Sequence, residues 1–316
     1  MEQNGHFGTH QFSDADEHAR SLVNFEQRYF QIEAGKFKST MTQCDLDGLR
    51  LVRERTSHRV SQQGRSPADV YTIGLPVSAP SPATFQGRPL EAATLLQLRG
   101  GQEFSLHTPA DTELVAIVLP EHEFGELMEY LGGAGSVAWL RAPTMQAGSA
   151  TAHRACSAIR ACFAHAEQNQ DLLTVPAVRK ALRDQIIEHL LCVLTEGETP
   201  GQPDVTRLAY SRIVKTCQEF VLANSEQPLT VTDLCQALRV SRRTLQTSFT
   251  EVTGASPAFY LRYMRLSAVR SLLRSTGATL TIRDAAAYWG FIHMGNFARD
   301  YFRMFAELPS QTCRRN

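Results

Sequence analysis

SRRTLQTSFTEVTGASP, Ser241 to Pro257, and HMGNFARDYFRMFAELP, His293 to Pro309, are two copies of one unit near the end of a 316-residue chain. Aligned on the closing prolines, Leu245 and Phe249 of the first copy fall opposite Phe297 and Tyr301 of the second. Each pair is apolar at i, i+4, which puts both members on one face of a helix. The buried stripe is therefore repeated, and two copies imply two equivalent docking surfaces.

Working outward, each copy follows a second short amphipathic segment. LTVTDLCQALRVS precedes the first, with Val231, Leu234 and Leu238 on one face; LTIRDAAAYWGFI precedes the second, with Ile282, Ala286 and Trp289. A short helix, a tight turn and a second helix form a helix-turn-helix, whose second helix can enter the major groove of DNA. Helical hairpins are common, but two in matching register, each closed by a turn with Pro, argue for more than packing.

Charge points the same way. From Val205 to Asn316 there are 15 Arg or Lys, of which only Lys215 is lysine, against 7 Asp or Glu, a net of +8. The whole chain balances at 32 of each sign, so residues 1–204 carry 17 against 25, a net of −8. A basic domain is thus joined to an acidic one, and arginine suits bidentate contact with phosphate or with guanine O6 and N7. Arg242 and Arg243 open the first predicted reading helix. Arg243, Thr244, Gln246 and Thr247 lie away from Leu245 and Phe249, with Arg242 nearer the DNA backbone. His293, Asn296 and Arg299 are the corresponding candidates in the second copy.

From about Arg207 to Cys313 the chain resembles the DNA-binding domain of the AraC/XylS family of bacterial transcription regulators. The resemblance is carried by SRRTLQ, by GASP at Gly254 to Pro257, by the Arg-rich YLRYMRLSAVRSLL, and by WGF followed by NFARDYFR. It implies a transcription factor with double-stranded promoter DNA and RNA polymerase as partners. It also implies a helix from about Pro257 to Leu273 joining the two motifs. At 1.5 Å per residue that helix is about 25 Å long, against about 34 Å between successive major-groove faces. Two departures weaken the second motif as a reader. Ala306 stands where the family usually has Gly, and His293 stands where Ser, Thr or Asp would cap the helix.

The preceding 200 residues read as α+β. Ser13 to about Gln31 is expected to form an opening helix with Ser13 as its N-cap. FKSTMTQC, GLRLVRER, DVYTIGLPV, ATLLQL, EFSLHT and ELVAIVL, between Lys36 and Pro120, read as short strands of a β sandwich or barrel. After Pro120 the pattern turns helical, in HEFGELMEYL and VPAVRKALRDQIIEHLLCVL. This resembles the regulatory half of the same family, a cupin-like β domain followed by dimerisation helices. YFQIEAGKFKSTM, with Gly35 and Phe37, and LLQLRGGQEFSLHTPADTE are similar to the ethanolamine-operon regulator subgroup.

The expected organisation is a regulatory and dimerisation domain over 1–196, a linker over 197–206 centred on GETPGQPD, and a DNA-binding domain over 207–316. Leu182, Ile186 and Leu190, at i, i+4, i+8, either complete the regulatory core or pack against a symmetry mate as a homodimer contact.

Other chemistries find little support. A cupin-like metal enzyme needs several ligands to one ion, yet His107 stands alone in SLHTPADTE, and His58 is the only other histidine between Gly35 and Pro120. No nucleophile-base set and no phosphate-cradling Gly loop is legible, so neither cofactor nor catalysis is expected. Alkyl-transfer DNA repair needs clustered thiolates, and residues 1–150 hold only Cys44. The seven cysteines form no C-x-x-C pair and read as free thiols in a reducing compartment. The chain has no apolar run near the roughly 20 residues of a membrane span, and it opens on a polar segment unlike a secretory signal. A cytoplasmic regulator answering a small-molecule effector is the expectation.

Overall fold

The computed structural model describes residues 6–313 apart from 23, 79–80, 82, 92, 133–137, 199–203, 225–228 and 277–279. The N-terminal part is a two-sheet sandwich. Its strands are β1 (Phe7–Phe12), β2 (Glu26–Gln31), β3 (Ser39–Leu46), β4 (Leu49–Thr56), β5 (Val60–Arg65), β6 (Val70–Ser78), β7 (Ala83–Phe85), β8 (Arg88–Leu90), β9 (Thr94–Leu98), β10 (Glu103–Thr108), β11 (Thr112–Pro120) and β12 (Thr144–Gln146). One sheet runs β1-β3-β4-β11-β6-β9-β12, the other β2-β5-β10-β7-β8, with neighbours antiparallel. The six strand segments read from the sequence are β3, β4, β6, β9, β10 and β11.

Side chains alternate across each strand, and this decides what each face covers. Leu51, Ile73, Val115 and Ile117 turn outward from the seven-stranded sheet into a core shared with three helices. These are α2 (Glu121–Tyr130), α3 (Ser149–Gln168) and α4 (Pro176–Thr195). Leu96 and Leu98 turn the other way, against Phe85, Phe104 and Leu106 of the smaller sheet.

Two expectations are corrected. Among the described residues of the expected opening helix only Ala15–Ser21 is helical (α1), and its N-cap is Asp14, which accepts a hydrogen bond from the Glu17 amide at 3.0 Å, rather than Ser13. Glu26–Gln31 is β2, because its aromatic run finds a partner strand in β5 and pairing outweighs local helix propensity. The second correction concerns α4. Leu182, Ile186 and Leu190 are 9%, 0% and 2% exposed, in the core shared with the seven-stranded sheet, so that face is filled within the protomer. The side of α4 left half-buried carries Ile187 and Leu191 instead.

The C-terminal part is helical: α5 (Val205–Ala223), α6 (Val231–Leu238), α7 (Arg242–Thr253), α8 (Pro257–Thr276), α9 (Ile282–Tyr288), α10 (Met294–Phe305) and α11 (Pro309–Cys313). Of the expected linker, residues 199–203 lie outside the described residues; Glu198 pairs with Gln146, and Asp204 caps α5. Two cores share one long helix. Tyr260, Leu261 and Met264 of α8 face Leu245 and Phe249, whereas Leu266, Val269 and Leu273 face Phe297 and Tyr301.

The smaller sheet lies on this helical part. Phe30 and Ile32 belong to the core around Phe249. Ser61 accepts a hydrogen bond from Gln218 at 3.0 Å and lies 3.3 Å from the Tyr260 hydroxyl. Arg270 of α8, 4% exposed, reaches Asp14 at 2.7 Å and Glu307 at 2.9 Å. A buried arginine held by two carboxylates is satisfied, and removing Arg270 would take a counter-charge from both buried carboxylates.

Candidate nucleic-acid interface

The first motif is built from local signals that agree. Thr230 and Asp233 form a reciprocal capping box at the start of α6. Arg239 then takes a left-handed conformation (φ 54°), and the Val240 amide donates back to the Cys235 carbonyl at 3.1 Å, ending the helix. Ser241 caps α7 by accepting from the Thr244 amide at 3.0 Å. Leu245 and Phe249 are fully buried, which fixes the rotation of α7. Arg242, Arg243 and Gln246 are thereby exposed, and Thr244 and Thr247 are half-buried. The Thr244 hydroxyl sits 2.8 Å from Ser241 Oγ, so part of its bonding capacity serves the cap.

The second motif reaches the same geometry from poorer signals. Thr281 caps α9, accepting from the Asp284 amide at 3.1 Å. His293 gives α10 no side-chain cap, in line with the sequence reading. Ala306 nevertheless adopts φ 51°, matching Gly254 at φ 69°, although a left-handed non-glycine residue costs roughly 1–2 kcal/mol. Phe297 and Tyr301 are 1% and 0% exposed, the repeat of Leu245 and Phe249. His293, Asn296 and Arg299 are exposed, with Arg299 donating to Asn296 Oδ1 at 2.9 Å.

Sequence reasoning missed one residue of this surface. Val231 and Ile282, which open the leading helices, are 51 positions apart, whereas Arg242 and Met294, which open the following helices, are 52 apart. The second hairpin therefore holds one extra residue between its helix starts, with α9 one residue shorter than α6 and its turn two residues longer. That turn contains Ile292, 84% exposed and adjacent to the start of α10. Comparing the two helix starts, rather than one register, would have exposed it.

The positive charge of the helical part is not all exposed. Arg270 is committed as described, and Arg274 lies 3.5 Å from both Asp14 and Glu17, facing the N-terminal part. Arg242 and Arg243 remain exposed at the N-terminal end of α7.

The sandwich holds a separate polar group between its sheets. Glu54 accepts from Gln62 at 3.3 Å and from the Tyr29 hydroxyl at 3.4 Å, and His18 lies 3.6 Å away. Burial pushes Glu54 up to about 7, partly offset by those hydrogen bonds, and pushes His18 down to about 4. Between those values the acid is protonated and the imidazole neutral, so the cluster is uncharged. His107 is buried on the opposite face of β10 beside Ser105, and His58 bonds Ser57 Oγ at 2.7 Å. No group of three or more potential metal ligands occurs among the described residues.

An AraC-binding-like domain matches residues 18–192, and a helix-turn-helix domain matches residues 234–315. The chain belongs to the AraC family. Among its relatives, the "Probable thc operon regulatory protein" of Rhodococcus erythropolis is 34% identical over 116 residues, covering 36% of this chain and 32% of that protein. The XylDLEGF operon transcriptional activator 2 of Pseudomonas putida is 30% identical over 135 residues, 42% of this chain and 80% of the relative. This AraC-family chain thus matches about a third of the length of the first relative and most of the second. A probable AraC family transcriptional regulator from Rhodopseudomonas palustris, of known structure, is 36% identical over 33% of this chain and 96% of its own, with a TM-score of 0.30. Among the described residues no helix is long and apolar enough to cross a membrane.

Proposed function

We propose that this chain regulates transcription by binding promoter DNA, with α7 and α10 entering successive major-groove segments. The observation that carries the reading is the exposed polar row Arg242, Arg243, Gln246 on a helix whose opposite face is fully buried. In this role Arg243 and Gln246 read base edges, Thr247 borders them, and Arg242 and Thr244 hold the backbone. His293, Asn296 and Arg299 supply the second contact. The action is cytoplasmic, with RNA polymerase as the partner that converts occupancy into altered initiation.

Two further features complete the proposal. The buried Glu54, His18, Tyr29 and Gln62 group supports a polar small-molecule effector inside the sandwich, since His18 has neither ring nitrogen hydrogen-bonded. Self-association is assigned to the outward side of α4. Ile187 and Leu191 line a groove of about 530 Å³ with Tyr130 of α2, itself 80% exposed. Ile187→Glu is expected to give folded monomers in sedimentation, whereas Ile186→Glu, which buries a charge in the core, is expected to unfold the domain. A folded Ile187→Glu protein that stays dimeric would place the contact elsewhere.

Selection from random duplexes by the full-length protein tests the central claim. A discrete sequence is expected to be enriched, with affinity falling steeply as salt rises because counterion release loses its gain. Enrichment of no sequence would remove the assignment.

A further inference from the structure

Each recognition helix ends with carbonyls that have no partner within the helix. In both helices one of those carbonyls is taken by a donor from the N-terminal sandwich. Arg59 Nη1 donates to the Thr253 carbonyl at the end of α7, at 3.1 Å. The Gly35 amide donates to the Met304 carbonyl at the end of α10, at 2.9 Å, and Gln31 Nε2 lies 3.4 Å from the same oxygen. A guanidinium at a helix C-terminus is further favoured by the helix dipole.

The two donors belong to one unit. The Ile32 amide donates to the Arg59 carbonyl at 2.9 Å, and the Arg59 amide donates to Glu33 Oε2 at 3.0 Å. The Ser57 amide donates to the Lys38 carbonyl at 2.9 Å, while the Lys38 amide donates to Ser57 Oγ, also at 2.9 Å. Gln31 Nε2 closes the turn from within by donating to the Gly35 carbonyl at 2.8 Å. Residues 31–38 and 57–59 therefore form a double-stranded bracket whose width is fixed by its own hydrogen bonds.

Two glycines make the approach feasible, one on each side of the joint. Gly35 has φ +137°, and a Cβ there would run into the His58 ring. Gly254, the residue after α7, has φ +69°, and a Cβ there would occupy the position of the Arg59 guanidinium. The sequence YFQIEAGKFKSTM, which no part of the DNA contact explains, is this bracket. Among the described residues the helical link between the motifs is α8, so the bracket is a second, independent tie between them.

We propose that Arg59 and Gly35 are positioning residues for DNA reading: by holding the C-terminal ends of α7 and α10 in one rigid bracket, they set the spacing at which the two helices meet DNA. The inference rests on the DNA-reading assignment above. It makes the regulatory domain part of the ruler, so that any movement of residues 31–38 against 57–59 alters which spacing of contacts is accepted.

The test uses the full-length protein, the duplex it enriches, and the same duplex with one base pair inserted between the two footprinted groove segments. One base pair changes the separation by about 3.4 Å and the facing angle by about a tenth of a turn. Wild type is expected to bind the lengthened duplex about tenfold or more weakly, as for a mismatch in a specific site, while Arg59→Ala brings the ratio within about threefold. Arg59→Lys, which keeps a donor, is expected to restore discrimination, and Gly35→Ala to relax it as Arg59→Ala does. Circular dichroism and melting establish that each variant is folded. An unchanged ratio in folded Arg59→Ala, including uniform weakening on both duplexes, overturns the proposal, as does a wild-type ratio near one. Absence of any enriched duplex instead defeats the DNA-reading assignment on which the inference stands.

Discussion

The two helix-turn-helix motifs bury matching residues, end in matching left-handed turns and both receive a donor from the sandwich, yet they differ in how far their local sequence suits that shape. The first has Ser241 as a cap and Gly254 at its closing turn, both suited to their backbone positions. The second has His293 and Ala306 there, and so depends more on longer-range contacts. Gly35 donates to Met304, Glu307 joins Arg270, and the Tyr301 hydroxyl lies 2.7 Å from Thr312. One backbone shape can thus be specified locally or imposed from outside, and only the first kind is visible in a short motif.

The largest expected separation between the motifs is in base reading. Arg243→Ala should cost about 1–3 kcal/mol of binding to the enriched duplex and relax preference at one or two base pairs. The double change Asn296→Ala with Arg299→Ala should weaken binding with a smaller shift in preferred sequence, because that pair is already hydrogen-bonded to itself. Selection experiments on each variant decide the order, and a larger shift from the second set would reverse it.

A stability difference of opposite sign sharpens the same comparison. Gly254→Ala should destabilise by about 1–2 kcal/mol or more, from the left-handed backbone and the collision with Arg59. Ala306→Gly should stabilise by up to about 1 kcal/mol, less the entropy a glycine adds to the unfolded chain. Denaturant melts of the full-length protein measure both. Equal effects of the same sign would mean that the two turns are not equivalent.

The smallest effect concerns the caps. His293→Ser should supply the missing side-chain acceptor and add about 0.5–1 kcal/mol. A gain of that size would attribute the weakness of the second motif to its local sequence. No gain would mean that tertiary contacts already make up the deficit.

The doubled motif was legible from its apolar spacing, the six main strands from β-branched and aromatic runs between Gly, Pro and Ser clusters, and α8 from the family resemblance. The register of Leu245 and Phe249 against Phe297 and Tyr301 carried over without change. β5, VSQQGR, was not legible, because a polar strand owes its existence to partners on both edges. α3, with many alanines among polar residues, gives little contrast between faces. The inward stripe of α4 was visible as a stripe, but periodicity carries no information on whether the facing partner is the same chain or another. Phe30 falls within the expected opening helix and Ile32 outside every predicted element, since nothing local signals that they complete the core of a helical domain whose first buried member, Val214, is 182 positions beyond Ile32.

The sharing of α8 between two cores constrains how this protein can change over evolutionary time. Inserting one residue into α8 would turn everything beyond it by about 100° and push it outward by about 1.5 Å. An insertion between Met264 and Leu266 would turn the second motif, with Leu266, Val269 and Leu273, away from the first, and one after Leu266 would break the second core itself. Length variation should therefore accumulate in the surface turns and be excluded from α8. On the proposed DNA-reading role, new operator preferences would then arise by exchanging exposed side chains on α7 and α10, or by altering the longer turn between α9 and α10.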